Sequence, residues 1–398
     1  MGARTLGERV RRLRLVAGLG QVEFAERVGI ATGSVSKLEN GQTAVSESLL
    51  DVIGRVLNCS PRFLLAPVEL VPSSRPWLRA YADAPKRSVD RQLAEAMLVM
   101  EVVDLLGLRT IPDIVPTFSG DLSDDDDIEQ FAADVRAAAQ IDDGEVVGNT
   151  IRAAERLGCI VLPMREELGR HLGLSTRSNL TPVISVSRPS NDPERHVPGD
   201  RQRFTVSHEL GHLALHAALG PPQTAEEATR VERQAHLFAG AFLAPGDAIL
   251  AHLSEHGSRV TLTTLAQLKG HWGIAIKSLV VRFRHLGVID ADQARSLYKQ
   301  ISARGWNKQE PVHVGNESAV WLLQAIKKHS PSAGDPIEAA ATDAGLGRNY
   351  VDRWVDWSAT SAVGSPASIV SLNLGGSPER APSRDALGTV TPLPVRGR

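Results

Sequence analysis

The sequence predicts a multi-domain chain: an all-α N-terminal bundle, an α+β middle domain with a small sheet beneath a histidine-bearing helix, and a helical C-terminal region. Three observations lead there. At 398 residues the chain exceeds one average domain. Residues 1–66 hold short segments of helical period broken at glycines. Between residues 145 and 216 the pattern runs helix, strand, strand, long helix, ending in TVSHELGHLALH. A hydrophobic share of 42% and a charged share of 23% suit a globular protein. No apolar run reaches the roughly 18 residues that span a bilayer. MGARTLGERVRRLRL lacks the apolar core of a signal peptide. A cytoplasmic location with no membrane partner is therefore expected. Cys59 and Cys159 stand in no metal-binding spacing and are expected as small core residues.

In the first helix Leu6, Val10, Leu13 and Val16 keep helical spacing up to Gly18. QVEFAERVGI follows as a second helix from Gln21, with Phe24, Ala25 and Val28 on one face and Gly29 at the turn. ATGSVSKLENG is the third, with Thr32 expected as N-cap and Val35 and Leu38 inward. Ser46 caps a fourth, and Ser60-Pro61 opens a last turn. Thr32, Gly33, Ser34, Ser36 and Lys37 then form a small, polar outward face fit for a major groove. Charge agrees. Formal net charge is −2, yet residues 1–65 carry nine Lys/Arg against six Asp/Glu, and residues 121–145 ten acids against one Arg. A nucleic-acid footprint belongs at the N-terminus. The acid run Asp124–Asp127 reads as a helix N-terminus.

QVEFAERVGIATGSVSKLENG, with both flanking helices, resembles the Xre-type, lambda-repressor-like helix-turn-helix family. The resemblance implies a double-stranded DNA operator read by the third helix, and a homodimer on two half-sites. It also implies phosphate contacts from Gln21 and the LENG segment, which includes Asn40.

Residues 67–140 read as a linker, anchored by Trp77 and Tyr81, and a helical segment, QLAEAMLVMEVVDLLGL. CIVL and TPVISVSRP are strands. In the next helix His208 and His212 lie one turn apart on one face, able to share a zinc ion, with Glu209 beside them as general base. Gly211 lets another segment approach. His216 continues the row a turn too far from the same ion, as a residue behind the ligands. Glu232 falls twenty positions after His212, room for a turnaround and a second helix that would complete a His₂Glu set.

RFTVSHELGHLALH followed by ERQAHLFAGAFLAP resembles the ImmA/IrrE family of zinc metallo-endopeptidases, whose pattern is RFT-x-x-HELGH-x-x-x-H, then E-x-[EQ]-A-N-x-F-A. The resemblance covers roughly residues 145–290 and implies a zincin-like fold, one Zn²⁺ on His208, His212 and Glu232, Glu209 as base, and a protein substrate such as a repressor or the chain itself. His236 stands where the family usually has Asn, either adding an imidazole to the metal or replacing the amide's hydrogen bonds. The expected organisation is a helix-turn-helix domain over 1–66, the linker segment over 67–140, the peptidase-like domain over 141–290, a helical region over 291–360 and a disordered tail over 361–398. LAQLKGHWGIAIKSLVVRF lacks polar outward residues and is expected to pack rather than form a second helix-turn-helix. Two functions fit: a DNA-binding regulator that also cuts protein, or a transcription factor whose peptidase-like domain senses a metal or ligand without turnover.

Overall fold

The bundle forms where the periodicity places it. The computed structural model describes residues 3–67, 84–164, 168, 171–178, 181–188, 196–220, 222–357 and 369–370. Its first helices are α1 (Ala3–Val16), α2 (Gln21–Val28), α3 (Thr32–Glu39), α4 (Glu47–Leu57) and α5 (Pro61–Leu64). Val10, Leu13, Phe24, Val35, Leu38 and Ile53 share one buried core. Gly29 ends α2 at φ 77°, a left-handed turn that L side chains resist, and its N–H donates to the Ala25 carbonyl. Ser46 and Ser60 cap α4 and α5 through their hydroxyls. Thr32 does not cap α3. Ala31 holds that position, without a side-chain bond, and Thr32 is the first helical residue. An N-cap hydroxyl is worth only about 1 kcal/mol, so the helix starts where the turn and the inward Val35 and Leu38 require.

The body contains α6 (Lys86–Leu105), α7 (Asp125–Ala138) and α8 (Thr150–Arg156), then strands β1 (Ile160–Met164), β2 (Gly173–Ser178) and β3 (Thr181–Ser187). Asp124 caps α7 as its acid run suggests, its carboxylate accepting from Asp126 N–H. The sheet order is β1-β3-β2, with β1 parallel and β2 antiparallel to β3. Alternate residues of a strand face opposite ways. Ile160, Leu162 and Val183 join the core of the N-terminal bundle. Val161, Ile184 and Val186 join a second core. A sheet buried on both faces explains why CIVL and the PVI of β3 read as unbroken apolar runs rather than alternating ones.

Next come α9 (Gly199–Leu215), α10 (Ala225–Leu243), α11 (Gly246–Glu255), α12 (Leu262–Trp272), α13 (Ile276–His285) and α14 (Ala291–Ala303). α12 and α13 commit Leu265, Leu268, Trp272, Leu279 and Phe283 to the second core, a packing role. After β4 (His313–Val314) follow α15 (Trp321–His329), α16 (Pro336–Ala344), α17 (Arg348–Val355) and β5 (Ile369–Val370). The helices expected as one C-terminal region divide between the cores. α14 buries Leu297 and Ile301 in the second core. Instead, α15–α17 close the N-terminal bundle, burying Leu322, Ile326, Tyr350 and Trp354 in its core. Tyr350 Oη donates to Leu57 O at 2.6 Å, and backbone bonds join Ser60 to Gly345 and Gly347 to Asn58.

Cys159 is buried as expected, whereas Cys59 is only half-buried. Trp77, Tyr81 and the expected tail lie outside the described residues, except that Ile369–Val370 pairs antiparallel with β4, a departure from disorder at those two positions. Among the described residues no single helix is long and apolar enough to cross a membrane.

Candidate metal centre and nucleic-acid face

Buried polar contacts fix α9 at its start. Arg203 pairs with Glu317 and donates to Val147 O at 2.6 Å. Gln202 exchanges hydrogen bonds with the backbone of Glu317, at 3.2 and 2.7 Å. Lys269 pairs with Asp200 one residue into the helix. Further along, Gly211 lies so close to α10 that a Cβ there would sit 2.9 Å from Phe238 Cδ1. That close approach is what the sequence suggested for Gly211, and it sets the distance from the α9 histidines to Glu232.

Three ligand atoms converge. His208 Nε2 and His212 Nε2 stand 3.1 Å apart. Glu232 reaches His208 Nε2 with Oε2 at 3.3 Å and His212 Nε2 with Oε1 at 3.4 Å. Two imidazoles and a carboxylate are the donor set of a catalytic zinc, so these residues fit the metal that the sequence implies. Burial opposes ionisation of Glu232, but the contacts to His208 and His212 hold its carboxyl far below the usual range.

The proton positions behind this cluster follow from one backbone carbonyl. Gln234 Nε2 donates to Leu122 O at 2.7 Å, which turns Gln234 Oε1 toward His216 Nε2 at 3.1 Å. An amide oxygen only accepts, so His216 carries its proton on Nε2 and presents a lone pair at Nδ1. That nitrogen lies 3.2 Å from His212 Nδ1, which must donate. The remaining nitrogen of His212, Nε2, then holds a lone pair aimed at the cluster. Burial, reinforced by His212, pushes His216 down to about 3 and keeps it neutral.

Glu209 is buried, and its Oε2 accepts from Ser175 Oγ on β2 at 2.6 Å. His236 stands edge-on to His208, ring centroids 4.5 Å apart, with Nδ1 2.9 Å from the Glu232 carbonyl. It lies beside the three-donor cluster rather than within it. Sequence reasoning passed over Ser175 and Gln234. Ser175 had no signal, because GLSTRS was not read as a strand. Gln234 occupies the [EQ] position of the resembled pattern, which could have pointed to it.

On the bundle, Thr32, Gly33 and Lys37 are exposed along α3, Ser34 and Ser36 are half-buried, and Asn40 is exposed just past the helix end. Gln21 begins α2 half-buried, with Nε2 donating to Glu39 Oε2 at 2.8 Å. Glu39 also takes Arg14 Nε at 2.5 Å. Gln21 thus ties the start of α2 to the end of α3, and the outward side of α3 remains accessible.

Comparison with known proteins places both features. Residues 5–64 match the family model of a helix-turn-helix domain, and residues 154–284 match that of the IrrE N-terminal-like domain, a peptidase family. Antitoxin PezA from Streptococcus pneumoniae serotype 4 is 42% identical over 55 residues, 14% of this chain. The chain spans only 35% of that curated relative's length. The solved structure of ComR from Streptococcus suis aligns over 86% of this chain and 89% of its own at 12% identity, but a TM-score of 0.16 establishes no shared fold. The chain therefore joins a helix-turn-helix domain to an IrrE-like, peptidase-type domain, the fusion to which its two motif blocks pointed.

Proposed function

We propose that this protein is a cytoplasmic DNA-binding regulator that, as a homodimer, occupies a double-stranded operator and carries a zinc-dependent endopeptidase of zincin type, which cuts a repressor or the chain itself. The observation that carries the enzymatic half is the convergence of His208, His212 and Glu232 beside a buried, oriented Glu209. Zinc on those three ligands would supply acidified water and an electrophile for the scissile carbonyl. The chain's own groups do the rest. Glu209 accepts the proton of the attacking water and returns it to the departing amine nitrogen. Ser175 holds the Glu209 carboxylate in place through Oε2. Gln234 and His216 keep the His212 Nε2 lone pair directed toward the place a metal would occupy. Support for the DNA half lies in the accessible Thr32, Gly33, Lys37 and Asn40 around α3, with Ser34, Ser36 and Gln21 alongside.

Glu209→Gln is the deciding variant. The expected outcome is loss of cleavage, by roughly 10²–10⁴-fold, with operator binding and zinc content unchanged. Elemental mass spectrometry should find one zinc on these ligands, lost in Glu232→Ala. Regulation that survives Glu209→Gln intact would instead identify a metal or ligand sensor without turnover.

A further inference from the structure

A second group of metal-ligand side chains lies outside the site described above. His252 sits in the last turn of α11, Glu255 is its final residue and His256 is its C-cap. One ligand atom from each lies within 4.8 Å of the other two. His252 and His256 are four residues apart, one above the other, with ring centroids at 4.9 Å. His271 on α12 stands beside this group rather than within it, its ring centroid 4.3 Å from that of His252. From these positions we infer that His252, Glu255 and His256 form a second binding site for a divalent transition metal such as Zn²⁺. It shares no residue with the His208–His212–Glu232 cluster and does not depend on the function proposed above.

The chemistry of each group supports this. Imidazole and carboxylate are ligands that zinc accepts together. His256 Nδ1 is 3.0 Å from His252 O, a carbonyl that can only accept. The His256 proton therefore sits on Nδ1 and the lone pair on Nε2, the arrangement in which a backbone carbonyl orients a metal-ligating histidine. His252 Nδ1 accepts the Trp272 indole N–H at 3.2 Å. Coordination through either nitrogen gives up that contact: Nδ1 would bond the metal, or else carry the proton displaced from Nε2. The lost hydrogen bond weakens the site relative to a pre-formed zinc centre and makes Trp272 a reporter of its loading.

The test uses the full chain, stripped of metal and dialysed against Zn²⁺, with zinc counted by elemental mass spectrometry and Trp emission followed in parallel. Two zinc per chain are expected. His256→Ala should lose one, Glu232→Ala should lose the other, and combining the two should lose both. Zinc-dependent emission should shift in the wild type and in Glu232→Ala but not in Trp272→Phe. His256→Ala alters the protein surface, and unchanged far-ultraviolet circular dichroism will establish that it folds. One zinc in the wild type that vanishes in Glu232→Ala overturns this second site and leaves the proposed peptidase centre standing. Two zinc retained by His256→Ala also overturns it. Zinc that survives Glu232→Ala and is lost in His256→Ala upholds the second site while removing the metal from the proposed peptidase.

Discussion

Two side chains outside the proposed ligand set position groups at the candidate centre. Ser175 donates to Glu209 Oε2, which fixes one face of the carboxylate proposed as general base. Ser175→Ala should leave zinc content unchanged and slow cleavage by about 10–100-fold, the usual cost of removing an outer-shell partner. It should also shift the acid limb of the pH–rate profile, because the carboxylate loses a donor that favours its ionised form. A purely structural serine would move neither rate nor profile once folding is shown intact. Gln234 acts at a greater remove, through His216, on which nitrogen of His212 keeps its lone pair. Gln234→Leu keeps the volume but removes the oxygen that fixes the His216 proton. Zinc affinity should fall by about 10–100-fold, as measured by competition with a chelator.

At the scale of elements, the site depends on how closely α10 lies on α9. A Cβ at Gly211 would stand 2.9 Å from Phe238 Cδ1, and Phe238 is fully buried and stacked on Phe242. The ring has nowhere to swing, so Gly211→Val must push the helices apart. A loss of about 1–3 kcal/mol is expected, read as a lower urea midpoint, together with reduced zinc content, because Glu232 rides on α10. The helices themselves were legible. Their apolar periods, the serine caps of α4 and α5 and the glycine after α2 are local signals, and the HELGH and ERQAH blocks pointed to His208, His212 and Glu232, which converge. What escaped notice was non-local. GLSTRS is short and half polar, and it becomes a strand only because β3 offers an edge. Ser175 thus reaches Glu209 through a pairing that no local pattern encodes. The start of α3 was misjudged by one residue for a related reason: an N-cap preference is weaker than the packing of Val35 and Leu38.

For the whole molecule, the least legible feature is the attachment of the DNA-binding head. The expected linker falls largely on residues 68–83, outside the described residues, and its sequence says nothing of what the head packs against. Arg9 on α1 is fully buried and paired with Glu101 on α6, and it also donates to Leu64 O at 3.1 Å and Ala66 O at 2.7 Å. Across the chain, Arg353 on α17 reaches Glu95 at 2.8 Å and Val16 O at 3.3 Å. The head therefore shares its core with α6, the sheet and α15–α17, and should unfold with them in one transition rather than before them. Arg9→Met tests this. It leaves the buried Glu101 carboxylate with only the longer contact to Arg12 at 3.5 Å, a loss of up to about 3–5 kcal/mol spread over the single transition. Burial raises the Glu101 carboxyl above its ordinary value, and Arg9 and Arg12 oppose that rise. Without Arg9 the opposition weakens. A carboxyl with a raised folded pKa binds its proton more readily in the folded state, so the variant should regain stability as pH falls through that value and keep it below the ordinary carboxyl range. Adding Glu101→Leu removes the stranded charge and should restore most of the loss at neutral pH. Two separate melting transitions in the wild type, or an Arg9→Met defect that neither acid nor Glu101→Leu relieves, would show that the head is independent of the body.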